Sequence, residues 1–272
     1  MPGRRITTLA RLVRRGGVAR GGDFGPLRLG VDLGTANLVC AVVDNKNRPV
    51  AGAWRAGRVV RDGVVVDWHG AVATINELKQ GIEDLLGVHF ERAAVAIPPG
   101  IDAGTIKVFT NVLQACGLAC DEIVDEPVAA ASALGVTDGA IIDVGGGTTG
   151  VSLLRDGRSE LSVDEATGGH HMNLVISGAL GIDYDAAERF KVDPAHADEV
   201  FGLVRPTLEK MAMIAAQALA GHDVAEVHLV GGSAGFPQAP DVFTDVLGRG
   251  VKRPAEPLFA TPLGTAMRRN RD

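Results

Sequence analysis

One short pattern occurs twice, at matching places in two halves of similar design. Asp32-Leu33-Gly34-Thr35-Ala36-Asn37 and Asp143-Val144-Gly145-Gly146-Gly147-Thr148-Thr149 begin 111 positions apart. Each lies between two short apolar runs, LRLGVDL (27–33) and VCAVVD (39–44) in the first case, GAIIDV (139–144) and GVSLLR (150–155) in the second. Runs of this length, bounded by glycine and small polar residues, read as strands joined by tight turns. A third strand follows each time, PVAGAW (49–54) and SELSVD (159–164), and helices and strands then alternate. A duplicated α/β domain with mixed sheets accommodates this order.

In the first half a helical period runs over 69–86 through Val72, Ile75, Leu78, Ile82 and Leu85. A strand at 93–98, a helix at 102–115, a strand at 122–125 and an alanine-rich helix at 127–134 complete it. In the second half helices are expected over 170–180, 183–190 and 196–220, the last broken or restarted at Pro206. A strand at 225–230 leads through a Gly-Gly-Ser turn into a helix with Pro237 near its first turn, and a short helix closes the chain over 261–269. The expected division is an extension at 1–27, a first lobe at 28–134, and a second lobe at 135–272 whose C-terminal helix packs back toward the first.

Composition sets the limits. With 46% apolar residues the chain can bury a core, and no apolar run approaches a membrane span. Three cysteines, Cys40, Cys116 and Cys120, make neither a disulfide framework nor a zinc-finger pattern, which favours a reducing, cytoplasmic setting. Charge is unevenly spread. Residues 1–28 hold seven arginines against one aspartate, whereas the whole chain sums to −6, so the body is acidic and a poor general binder of nucleic acid. Within the basic segment Ile6, Leu9, Ala10 and Val13 share one helical face, with Arg4, Arg11, Arg14 and Arg15 opposite, and Gly16-Gly17 and Gly21-Gly22 read as a linker. So short a helix is unstable alone, so the extension is expected to be flexible until it meets a surface.

The repeated turns carry the chemistry. Glycines without Cβ let backbone N–H groups converge on an anion, which points to phosphate held by Gly34, Ala36, Asn37, Gly145, Gly146, Gly147 and Thr149, with the hydroxyls of Thr35 and Thr148 as further donors. An aspartate at each strand end, Asp32 and Asp143, repels phosphate but can hold a Mg²⁺ ion that neutralises both. In Leu229-Val230-Gly231-Gly232-Ser233-Ala234-Gly235, the glycines leave room for a base or ribose and Ser233 can hydrogen-bond it.

These motifs resemble those of the actin-like ATPase superfamily, which includes actin, DnaK-type chaperones and sugar kinases. DLGTAN (32–37) and DVGGGT (143–148) are similar to its two phosphate motifs, LVGGSAG (229–235) to its adenosine motif, and DEPVAAA (125–131) and PLGTA (262–266) to its connecting helices. The resemblance implies a ribonuclease H-like fold with two lobes, a nucleotide cleft and, here, reduced inserted subdomains. Within the superfamily VRDGVVVDWHGAV (60–72), DEATGGHHMNL (164–174) and TPLGTA (261–266) are most similar to the ethanolamine-utilisation EutJ family.

That resemblance implies an ATP- and Mg²⁺-binding, chaperone-like protein associated with a bacterial microcompartment. Asp32 and Asp143 would organise the metal and the attacking water, and Glu126 would face the γ-phosphate. Gly168, Gly169, Glu209, Met213, Gly231, Gly232 and Ser233 would complete the nucleotide site. DnaK-type chaperones bring a lysine toward the γ-phosphate, whereas residues 55–70 here contain none, so hydrolysis is expected to be slow or absent. His170 and His171, adjacent on a helix, are expected to cap it, contact phosphate or face solvent rather than bind one metal. The N-terminal helix is expected to dock on a shell protein or cargo enzyme. The competing readings are a reactivating factor for a cobalamin-dependent lyase, an actin-like filament protein, and a small-molecule kinase.

Overall fold

A computed structural model describes residues 2–19, 24–61 and 63–268. The duplication is literal in its wiring. Strands β1 (Arg28–Leu33), β2 (Asn37–Val43) and β3 (Pro49–Ala56) run antiparallel in sequence, and β6 (Arg92–Ile97) and β7 (Ala119–Asp125) then add in parallel, giving the order β3-β2-β1-β6-β7. The second sheet repeats that order as β10-β9-β8-β11-β12, from β8 (Gly139–Val144), β9 (Thr149–Arg155), β10 (Arg158–Glu165), β11 (Val227–Val230) and β12 (Val251–Lys252). Between β3 and the next helix stands a small hairpin, β4 (Val60–Arg61) and β5 (Val64–Val65).

Local chemistry sets the helices. α2 (Trp68–Leu86) starts where the Asp67 carboxylate accepts from the Gly70 N–H, and stops at left-handed Gly87; α3 (Ala103–Ala115) starts where Asp102 accepts from Gly104 and Thr105. α4 (Glu126–Leu134), α5 (Gly169–Leu180), α6 (Tyr184–Val192), α7 (Ala197–Ala218), α8 (Ala239–Leu247) and α9 (Ala260–Met267) follow. α7 is continuous through Pro206, contrary to the expected break. Pro206 and Gly202, whose carbonyl loses its helical donor, are both exposed, so water can satisfy that group, while Val200, Val204, Leu208, Met211, Ala212 and Ala215 anchor the buried face. The Gly-Gly-Ser turn is followed by a 3-10 turn, Gly232–Gly235, and α8 begins only at Ala239, so Pro240 rather than Pro237 stands in its first turn.

Each lobe has its own apolar core, one among β1, β2, β6, α2 and α3, the other among β8, β9, β11, α5, α7 and α8. A third cluster joins them. It draws Val39, Ala41 and Val43 from β2, Ala130, Ala131 and Ala133 from α4, Ile141 from β8, Val230 from β11, and Leu263 and Ala266 from α9. α4 and α9 cross so closely that a Cβ on Gly264 would lie 1.7 Å from the Ala129 carbonyl oxygen. Only glycine fits there.

The expectation of a flexible N-terminal extension does not hold. Residues 2–15 form a helix, α1 (Pro2–Arg15), whose Ile6, Leu9, Ala10, Leu12 and Val13 are buried. It packs on β3, α4, α9 and the 3-10 turn Pro257–Phe259, with Leu9 and Val13 filling the space left by Gly52. The reason is the one that predicted disorder: the helix needs a surface for its apolar stripe, and its own chain supplies one. Arg14 pairs with both carboxylate oxygens of Glu256. The Gly21-Gly22 part of the expected linker lies outside the described residues.

Candidate functional site

Both repeated turns emerge at the same edge of their sheets and meet. Asp32 sits near the end of β1, between Val39 of β2 and Ala96 of β6, and Asp143 sits likewise in β8 between Gly150 of β9 and Val230 of β11. A Cβ on Gly146 would fall 2.8 Å from the Ala36 Cβ, so the two turns touch across the lobe boundary. The second turn is closed by the Gly145 N–H donating to the Thr148 carbonyl at 2.9 Å. Thr149 is fully buried and donates to the Thr167 carbonyl at 2.6 Å, which ties the turn to the segment entering α5.

Two further glycine segments converge on that turn. The N–H groups of Gly169 and His170 donate to the carbonyls of Gly145 and Gly146, at 3.0 and 2.7 Å. Gly168 packs so closely that a Cβ there would lie 2.6 Å from the Gly147 carbonyl carbon. From the other side the Ser233 hydroxyl donates to the Gly145 carbonyl at 2.8 Å. Gly231 has φ +93 and would drive a Cβ into Asp143 Oδ1 and the Val144 carbonyl, so glycine is required both by backbone and by space. Gly232 lies near the Asn37 amide, with 3.7 Å from its Cβ position to Asn37 Nδ2.

The electrostatics are those of crowded carboxylates. Burial, reinforced by Asp143, pushes the Asp32 carboxyl up to about 7. Burial also pushes Asp143 up to about 6, against the Thr261 hydroxyl, which donates to its Oδ2 at 2.7 Å. Glu126, the first residue of α4, is held well above the usual carboxylate range by burial and by Asp32, Asp143, Asp164 and Asp125. The helix dipole favours its ionised form, but four neighbouring carboxylates outweigh that.

Most of the expected residues, Asp32, Gly34–Asn37, Glu126, Asp143, Gly145–Thr149, Gly168, Gly169 and Gly231–Ser233, are brought together where the two turns meet. On α7, Glu209 pairs with Arg205 one turn back at 2.9 Å, and Met213 is 54% exposed. His171 accepts from the Gly168 N–H at 3.3 Å, one of the expected capping roles, and His170 shares a hydrogen bond with the Tyr184 hydroxyl at 3.0 Å. No group of three or more metal-ligating side chains occurs among the described residues.

A further cluster, which no motif announces, lies beside these glycines. Lys191 Nζ lies 3.5 Å from the Cβ position of Gly169, the same position that meets the Ser233 hydroxyl. Glu188 accepts from Lys191 at 2.7 Å and from the buried Asn173 amide. In sequence Glu188 and Lys191 are an ordinary i, i+3 helix pair, and only the packing of α5 on α6 turns them toward the glycines.

Comparison with known proteins gives the family and the fold. The MreB/Mbl protein family model matches residues 50–185. The ethanolamine utilization protein EutJ of Salmonella typhimurium is 40% identical over 242 residues, 89% of this chain and 85% of that protein. The crystal structure of EutJ from Carboxydothermus hydrogenoformans superposes with a TM-score of 0.91 at 40% identity, covering 98% of this chain and 97% of that one. MreB5 of Spiroplasma citri bound to AMPPNP shares the fold, with a TM-score of 0.72 at 18% identity over 89% of this chain and 95% of that one.

Proposed function

The chain belongs to the family of the ethanolamine utilization protein EutJ, with the actin-like ATPase fold, and from that premise we propose that it binds Mg·ATP and acts as a chaperone-like, slowly hydrolysing protein of ethanolamine utilisation. The observation that carries the reading is the contact of two Asp–Gly–Thr turns, from two identically wired sheets, at the boundary between the lobes. A fold neighbour whose crystal holds AMPPNP supports the ligand class. The turn amides with Thr35 and Thr148 bind phosphate oxygens, and Gly231–Ser233 face the nucleoside.

The donor set suits Mg²⁺. Asp32 and Asp143 are carboxylates whose burial, with the Asp143 charge beside Asp32, disfavours their charged forms. Mg²⁺ is commonly held by one or two carboxylates, with phosphate oxygens and water completing its octahedron. When bound, it neutralises charge between the aspartates and the phosphates. Glu126 orients the attacking water, in surroundings where burial and the neighbouring carboxylates disfavour its charged form. With no lysine in residues 55–70 to approach the γ-phosphate, turnover is expected well below ~10 s⁻¹. Association with a microcompartment shell or cargo protein belongs to the same reading. Because the apolar face of α1 is spent within the chain, such a partner meets the exposed arginines Arg4, Arg11 and Arg15.

Calorimetry with Mg·ATP tests the site. One nucleotide should bind per chain, and Asp143→Ala should weaken it by at least about tenfold; unchanged affinity in that variant overturns the assignment. The same carboxylates predict a pH dependence. Their folded-state pKa values lie above the unfolded ones, so the native state binds more protons and stability falls as pH rises from about 4 to about 7. Thermal denaturation of the nucleotide-free chain should follow that fall, and Mg·ATP should diminish it.

A further inference from the structure

Helix α1 has two faces, and the fold uses one of them. Its apolar face is buried on the seam, while its outer face carries Arg4, Arg11 and Arg15, all exposed. We propose that this outer face docks an acidic helix of a partner protein, whose carboxylates repeat at the arginine spacing. This rests on the partner association proposed above and not on nucleotide binding.

Steps of seven and four residues return to nearly the same side of an α-helix. The three guanidinium groups therefore stem from one stripe about 40° wide and about 16 Å long. With Gly3, Thr7 and Thr8, the first two arginines of the stripe line an open depression. The Thr7 and Thr8 hydroxyls donate to the carbonyls of Gly3 and Arg4, at 3.1 and 2.8 Å, which leaves the guanidinium groups as the donors on offer.

The other arginines of α1 are occupied within the chain. Arg5 donates to the Lys46 carbonyl, and Arg14 pairs with Glu256 beside the Phe259 ring. Arg4, Arg11 and Arg15 form no ion pair with another described residue, although the chain beyond this segment is acidic. Arg4 is also costly for the helix itself. A cation in the first turn opposes the helix dipole, and α1 has no acidic residue there to offset it. An anion drawn to Arg4 meets the positive end of the helix as well as the side chain. Arginine at all three places favours planar, two-pronged pairing with carboxylates.

A membrane suits this face less well. Surface helices hold to lipid by inserting their apolar side, and Ile6, Leu9, Leu12 and Val13 are already buried in the protein. Nucleic acid would confront the acidic remainder of the chain. A partner helix lying along α1 need reach only the stripe. The seam holds α1 in place before the partner arrives, so little ordering entropy opposes docking.

Fluorescence anisotropy at low salt tests the stripe on the full chain, with two labelled alanine-based peptides of one composition. One repeats glutamate at alternating steps of seven and four residues, and the other scrambles it. The patterned peptide should bind at least about threefold more tightly than the scrambled one. Combining Arg4→Gln, Arg11→Gln and Arg15→Gln should weaken its binding about tenfold and leave the urea midpoint unchanged. Combining Arg158→Gln, Arg189→Gln and Arg249→Gln, which removes the same charge from other exposed sites, should weaken it less than about twofold. Absence of binding, equal binding of the two peptides, or equal loss in the two triple variants overturns the stripe. Tighter binding to phosphatidylglycerol vesicles or duplex DNA, abolished by the α1 variant, also overturns it, because the occupant is then a different polyanion. The nucleotide assignment stands or falls separately, on its own calorimetry.

Discussion

Where α1, α4 and α9 meet, the lobes are joined by buried alanines, leucines and a glycine packed against backbone; where Arg58 reaches Asp185, they are joined by one exposed ion pair over one ring. The seam excludes water and allows no slack, since deleting or adding a methyl group there leaves a void or a clash. The Arg58 contact exchanges readily with water and salt. The two junctions thus differ in what holds them, buried apolar packing in one and a solvent-screened charge pair in the other.

The comparison can be broken from the seam side first. Gly264→Ala sets a Cβ against the Ala129 carbonyl and should cost about 3 kcal/mol or more, read as a lowered urea midpoint. A variant as stable as wild type would mean that α4 and α9 separate freely. Leu9→Ala, within the buried face of α1, should cost roughly 2–4 kcal/mol and expose the bonds after Arg11, Arg14 and Arg15 to trypsin. Wild-type stability together with wild-type trypsin resistance would show that α1 is not part of the seam. Arg58→Ala should change the urea midpoint least, by no more than about 0.5 kcal/mol. A large loss of stability in that variant would erase the contrast between the two junctions.

The α1 result shows how far a correct local reading can mislead. The stripe of Ile6, Leu9, Ala10 and Val13 was legible, and so was the conclusion that the helix needs a surface. What the stripe could not state is which surface, because an apolar face is nondirectional and fits any matching groove. Arg14 and Glu256, 242 residues apart, close that question only in three dimensions. Glu188 and Lys191 illustrate the converse. In sequence they are an ordinary helix pair, and only the fold sets Lys191 beside Gly169 and Ser233.

From sequence alone came the duplication, the strand and helix order, the two Asp–Gly–Thr turns and the Gly231–Ser233 turn, because each is written in spacing, in glycine and in side-chain period, all local quantities. The tertiary structure decided what those elements face. It raised Asp32, Asp143 and Glu126 together by burying them side by side, folded α1 onto the seam, and set Arg58 over Tyr184. The physical reason is that burial, electrostatic coupling and packing depend on distances between residues far apart in the chain, and no local pattern encodes those distances.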